Sequence, residues 1–287
     1  MPGTDRDLLR SSGCEMSRRR APRIELGDRD LAVLGSVGRL RFMSGDQVAR
    51  LHFAEGTPIG RQRRAQAALR RLTEDGYLHR LPRRVGGAGS GSARFVYHLG
   101  YRGQKLVWPD RAARTPGDSG LLFVAHSLAI AAVVVEMREA EQSGRVRALR
   151  LQMEPAVWRH YVGSSGRVLV LKPDLGVQLA VGSGRFVWFV EVDRATEGLK
   201  RIRTKASQYL DYWRSGREQE RLGVFPRVLW SVPDQKRLEA IEQALGQLPD
   251  PAAGMFVVAT ADQTVRALLG QPTTNEEEVR NAEQQRT

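Results

Sequence analysis

The sequence predicts an α/β protein in two domains. The N-terminal part is a module of three helices and a two-stranded hairpin, and the C-terminal part an α-β-β-β-α-β domain with a mixed central sheet. Three observations carry this expectation. Residues 28–75 repeat apolar positions at helical spacing and are followed by two short strand-like runs. Residues 109–120 hold two prolines, two glycines and small polar residues, the composition of a linker. Beyond them apolar helices alternate with strand-like runs, and residues 186–192 are almost continuously apolar, as expected of a strand buried on both faces. A length of 287 residues suits two domains.

The N-terminal elements follow in order. Leu31, Val33, Leu34, Val37 and Leu40 make the apolar stripe of a first helix, with Asp28 as its expected N-cap. Ser44 caps a short second helix that runs to Leu51. A third helix starts near Gly60, with Ala65, Ala68, Leu69 and Leu72 on one side and Arg61, Arg63, Arg64, Gln66, Arg70 and Arg71 around the others. Asp75-Gly76 is its stop signal. Residues 77–81 and 94–99 read as strands around a glycine/serine loop at 86–92. Three helices and such a hairpin make a winged helix-turn-helix over residues 23–108. In that arrangement the third helix fits a major groove and the loop lies along the backbone.

Charge agrees with that reading. The chain carries 45 Lys and Arg against 32 Asp and Glu, a net charge of +13. Residues 1–115 hold 23 basic and 11 acidic residues, and residues 116–287 hold 22 and 21. A basic first part beside a nearly neutral second part points to a polyanion at the first. The expected partner is double-stranded DNA, contacted by Arg61, Arg63, Arg64, Gln66, Arg70 and Arg71 from the third helix and by Arg83, Arg84 and Arg94 beside the wing. Arg61, Arg64 and Gln66 are the candidates for base edges, and the others for phosphates. A homodimer on a palindrome suits this class of module. Residues 1–22 read as a disordered basic tail and 271–287 as a disordered acidic one.

Composition also excludes. Cys14 is the only cysteine, which rules out an internal disulfide framework and a cysteine-based zinc site. The longest apolar run, residues 128–135, falls short of the ~18–20 residues of a membrane span. A cytoplasmic, nucleoid- or plasmid-associated protein with no membrane partner is expected.

The C-terminal domain, residues 121–270, reads as a helix at 126–140 and strands at 147–153, 168–172 and 186–192. A long helix at 194–213, a strand at 227–232, a helix at 235–248 and a strand at 255–259 follow. Acids in buried strands are costly unless paired or bound to a cation. Asp174 is expected to end the second of these strands, with Glu191 and Asp193 at the end of the third. Spacing by two puts Glu191 and Asp193 on one face. Asp174 joins them if the strands are antiparallel neighbours, and Glu136 and Glu154 are further candidates. Such carboxylates suit Mg²⁺ or Mn²⁺, with Asp174, Glu191 and Glu136 as expected ligands. Asp193 and Glu197 have a plainer reading as partners of Arg194, Arg201 or Arg203.

Pro173-Asp174 followed by Glu191-Val192-Asp193 resembles the PD-(D/E)xK nuclease superfamily, and Gln208 and Tyr212 are similar to the QxxxY motif of its recombination-nuclease branch. The resemblance implies that Asp174 and Glu191 bind a metal and that a lysine follows the second acid by two residues. Asp193 stands at that position. The implied substitute is Lys205, with Lys200 second. The arrangement as a whole resembles the replication-relaxation family. Its features here are a winged helix-turn-helix, a linker, His126 on a helix, Pro173-Asp174, residues 191–197 and Lys205-x-x-x-Tyr209. That resemblance covers roughly residues 28–260 and implies a DNA-binding accessory or regulatory factor of plasmid or mobile-element replication or mobilisation, with replication or mobilisation proteins as partners. The displaced lysine favours this reading over a metal-dependent nuclease or nickase using Asp174, Glu191 and Lys205. A transcription regulator with a sensing C-terminal domain is the third reading.

Overall fold

A computed structural model describes residues 25–81, 95–112, 120–163, 166–248 and 254–272. Arg83, Arg84 and Arg94, the 86–92 loop, both tails and most of the expected linker lie outside the described residues.

The chain is mixed α/β. Helix α1 (Asp28–Leu40) begins one residue earlier than the sequence suggests, with Asp28, the expected cap, as its first residue. Gly27 is its N-cap, and the Asp30 carboxylate accepts from the Gly27 N–H at 3.2 Å. A two-residue strand, β1 (Met43–Ser44), leads into α2 (Gly45–His52). Ser44 caps α2 through a reciprocal box: Gln47 N–H donates to Ser44 Oγ, and Ser44 N–H to Gln47 Oε1. Helix α3 (Pro58–Glu74) has Thr57 as its cap and Pro58 in its first turn. It stops at Gly76, whose φ of 71° suits glycine, and Tyr77 N–H bonds back to Leu72 O. Strands β2 (Leu78–Arg80) and β3 (Val96–Leu99) pair antiparallel, and β1 joins the other side of β3. Helix α4 (Tyr101–Val107) follows.

Helix α5 (Leu121–Gln142) is the hinge of the architecture. By length and composition it could cross a membrane, because an 18-residue stretch within its 22 residues is apolar and carries at most two charges. Here it lies between the small sheet's helices and the large sheet. Gln47 Nε2 donates to Leu128 O at 2.8 Å, and Arg50 makes two hydrogen bonds to the Glu139 carboxylate. A single core cluster joins Val37, Met43, Leu69 and Leu99 to Ala131, Val135, Val190 and Leu268.

The large sheet has the order β10-β9-β8-β7-β4. Its strands are β4 (Ala148–Met153), β7 (Leu175–Val181), β8 (Gly184–Val192), β9 (Arg227–Val232) and β10 (Phe256–Thr260). The β4, β7 and β8 pairings are antiparallel, and β8, β9 and β10 run parallel. Between β4 and β7 a hairpin of β5 (Arg159–Val162) and β6 (Val168–Leu171) forms its own two-stranded sheet. This corrects one expectation. The run at 168–172 is a strand, but the second strand of the main sheet is β7, so Asp174 precedes a strand rather than ending one. Period-two apolarity marks a strand without saying which sheet it joins.

Helix α5 and α9 (Thr264–Leu268) cover one face of this sheet. On the other, α6 (Leu199–Arg214) and α8 (Gln235–Leu245) pack over Phe189, Val228, Trp230 and Val232, and α7 (Arg217–Leu222) closes the end of α6. Helix α6 starts five residues later than expected. Residues 193–198 form a loop that ends at the N-cap Gly198 and contains Ala195 at φ 55°.

Candidate functional site

The site is built on the antiparallel pair β7–β8. Their register sets Leu175 opposite Val190, which brings Asp174 across from Glu191 at the strand ends. Asp174 Oδ2 accepts from the Val192 N–H at 2.8 Å, and Asp174 Oδ1 lies 3.1 Å from His126 Nε2 on α5. Glu191 is 6% exposed, on the face of the sheet that α6 covers. Its Oε1 accepts from the Tyr209 hydroxyl and lies 3.2 Å from Lys205 Nζ, both from α6. Lys205 also donates to Lys172 O at 2.7 Å. Tyr209 and Lys205 are four apart, one turn of helix, so both reach the same carboxylate.

These residues open onto a cleft of about 760 Å³. Leu122 and Phe123 of α5, Val170 of the hairpin, and Thr196, Arg201, Thr204 and Gln208 complete its walls. Burial pushes Glu191 up to about 8, against the pull of Lys205 and with the neighbouring Asp174 adding to the rise. The hydrogen bond to Asp174 raises His126 above its ordinary value. Burial, and then the adjacent Glu191, lift the Tyr209 phenol far above its usual range, so it stays a donor.

The residues expected from the sequence sort clearly. Asp174, Glu191 and Lys205 meet. Gln208 lines the cleft with an exposed side chain. Lys200 is exposed and does not line it. Asp193 lines the cleft but is bound by Arg237 of α8, at 2.6 Å and 3.1 Å through two nitrogens. Its partner is therefore none of Arg194, Arg201 and Arg203. Asp193 also accepts from the Ala195 N–H, which fixes the left-handed residue of the loop. Glu197 pairs with Arg201 at 3.0 Å. Tyr212 is turned away from the site: its hydroxyl donates to Glu218, which Arg159 and Arg221 also hold. Tyr209 takes the place beside the acid. The QxxxY spacing selects the wrong tyrosine because positions 209 and 212 lie about 60° apart around a helix and face different carboxylates.

Glu136 does not join. It sits ten residues beyond His126, about 15 Å along α5, in a separate cleft of about 340 Å³ beside Asp262. Burial raises its carboxyl. Glu154 is held by Arg41 at 2.9 Å.

Both Asp174 oxygens are engaged, and Glu191 Oε1 already faces an ammonium and a phenol. Among the described residues no group of three or more His, Cys, Asp or Glu is arranged to hold a metal ion. In this arrangement each acid has its own protein partners, Asp174 through both oxygens and Glu191 through Oε1.

On α3, Ala65, Leu69 and Leu72 are buried, while Arg63, Gln66 and Arg70 face outward and are exposed. Arg63 and Gln66 bond to no other described residue, and Arg70 stands 4.0 Å from Glu74. Arg71 is bound to the Asp30 carboxylate at 2.7 Å and 2.8 Å. Arg64 folds back onto Glu55 O, and Arg61 is half-buried on the side nearer Glu139.

No curated protein and no solved structure matches the chain. A family model does, over residues 34–228, about two thirds of the length, and that span includes Asp174, Glu191, Lys205 and Tyr209. The family is described as replication-relaxation, and this chain belongs to it.

Proposed function

We propose that the protein is a DNA-binding accessory or regulatory factor in the replication or mobilisation of a plasmid or mobile element. In this reading residues 28–107 act as a winged helix-turn-helix. The α5-β4-β7-β8-α6-β9 order is a PD-(D/E)xK-like domain whose acidic site is neutralised from within. The observation that carries the reading is the outward face of α3, where Arg63, Gln66 and Arg70 lie on the side opposite the buried Ala65, Leu69 and Leu72. A helix with one apolar face packed and one basic face free is suited to a major groove. Membership of the replication-relaxation family supports the process.

The test is duplex binding by fluorescence anisotropy across a salt series. Affinity should fall steeply with salt, and Arg63→Ala/Arg70→Ala should flatten the log–log slope by about 2, roughly 0.9 per lost phosphate contact. Affinity that is flat with salt sinks the reading.

A second reading, a metal-dependent nuclease or nickase, is favoured by one observation: Lys205, displaced in sequence, stands 3.2 Å from Glu191. Nicking of supercoiled plasmid with Mg²⁺ or Mn²⁺, abolished by both Asp174→Ala and Glu191→Ala, would establish it. Intact plasmid under all these conditions rejects it.

A further inference from the structure

The C-terminal half is nearly neutral by count, yet the fold sorts its charges. Its acids gather at the cleft and on helices. The opposite corner of the large sheet has none: no Asp or Glu occurs in residues 143–153 or 175–190. Arg150 of β4 pairs across to Gln178 of β7, and Gln178 to Val187 of β8. One row along, Ala148 pairs with Ala180, and Ala180 with Arg185. Cross-strand partners and every second residue share a face, so Arg150, Gln178 and Arg185 stand on the same side as Phe189 and Glu191. Helices α6 and α8 cover that side only over the far ends of β8 and β9. The near end is open, and Ala148, Arg150 and Arg185 are all exposed.

Neither Arg150 nor Arg185 has a hydrogen bond or ion pair to another described residue. Strand and residue spacing set their Cα atoms about 12 Å apart. Exposed Arg145 and Arg147 lead into the same corner. Edge protection explains an arginine on β4, which is an outer strand. Arg185 lies near the start of β8, three residues before the pairing with β9 begins at Trp188, so it too stands at an open edge, beside the β7–β8 turn.

We infer that this open face, centred on Arg150, Gln178 and Arg185, is a second contact surface for the DNA backbone. It is separate from α3 and from the acidic cleft. Two guanidiniums with no bond to another described residue, and an amide, at the end of a sheet face away from Glu191 match a strand of phosphates, and offer nothing to an acid-poor or apolar partner. The inference rests on the DNA-binding reading above and adds a footprint on the second half of the chain.

The experiment is the same salt series on the full chain, with Arg150→Gln/Arg185→Gln, Arg150→Lys/Arg185→Lys and Arg63→Ala/Arg70→Ala. The glutamine pair should weaken binding roughly tenfold or more near 0.1 M salt and flatten the slope by about 2, because that slope counts neutralised phosphates. The lysine pair, with its charge kept, should retain the slope. Equal slopes for the wild type and the glutamine pair overturn this inference and leave the α3 reading standing. A wild type that ignores DNA overturns both. Anionic phosphatidylglycerol vesicles form the last arm: vesicle capture lost in the glutamine pair while DNA affinity holds would assign the face to lipid and overturn it. Equal thermal midpoints across the variants confirm that contact, not folding, was changed.

Discussion

Two buried glutamates sit on either side of α6, each bonded to a tyrosine from that helix, and they behave in opposite ways. Burial would raise Glu218, but Arg221, Tyr212 and Arg159 outweigh it and hold the carboxyl below its ordinary value. Glu191 has one ammonium, one phenol and a second carboxylate for neighbours, and burial pushes it up to about 8. The difference is a count of charges. Two guanidiniums on one acid make a closed structural knot. At the other site burial dominates: one ammonium and the His126 imidazole face two acids, and Glu191 keeps its proton. Burial alone therefore does not separate a functional acid from a structural one, whereas the balance around it does.

The largest effect should come from breaking the closed knot. Glu218→Ala strands Arg159, which is 11% exposed, and should cost roughly 3–5 kcal/mol in urea unfolding. A loss below about 1 kcal/mol would mean that the knot is not what holds α6, α7 and β5 together.

The next test is the open site's response to pH. Because Glu191 is raised from 4.5 to about 8, the folded state binds its proton more tightly than the unfolded chain does. That stabilisation is fully present below about pH 4.5 and is lost as pH rises through 8. Glu191→Gln mimics the protonated acid and should flatten the fall in thermal midpoint between about pH 5 and pH 9. Parallel curves for the wild type and the variant would erase the contrast with Glu218.

Smaller again is the tyrosine pair. Tyr209→Phe removes one hydrogen bond, about 1 kcal/mol, and should move the Glu191 titration further up, because that hydroxyl favours the ionised acid. Tyr212→Phe should cost a similar amount and leave the alkaline limb of the pH profile in place. A separate effect, confined to acid pH, concerns His52, whose Nε2 is buried with no hydrogen-bond partner among the described residues and whose pKa burial lowers to about 4. Its contribution is complete above pH 6.5 and fades as pH falls towards 4. His52→Leu should remove that acid-limb loss from the melting curves.

Much of this was legible in the residues. The Ser44 cap, the Gly76 stop and the apolar stripe of α3 follow from local rules of spacing and capping, whereas the meeting of Asp174 with Glu191 was legible only on the condition of an antiparallel pairing, which β7 rather than the expected strand supplies. Lys205 was named only through the family resemblance, with Lys200 as its alternative, and its approach to Glu191 is set by the placement of α6. What was not legible depends on tertiary placement. Nothing in the 168–172 run says that it leaves the main sheet for a hairpin with β5. Tyr209 and Tyr212 are equally good helix residues, and only the packing of α6 decides which one meets Glu191. The partner of Asp193 lies 44 positions away, on α8, beyond any local motif. The sorting of arginines into bound ones, such as Arg71, and free ones, such as Arg63, also needs the neighbouring helix.

The packing of α5 has a consequence for how such proteins diversify. Recognition helices are commonly treated as cassettes that recombination can move between relatives. Here Arg50 and Gln47 of α2 grip the same helix that delivers His126 to Asp174, and one core runs through both halves. A transplanted module would have to bring a matching α5 with it. On the DNA-binding reading proposed above, a change of specificity within this lineage is expected to proceed by substitutions on the outer face of α3, at positions such as 63, 66 and 70, while the halves are inherited together.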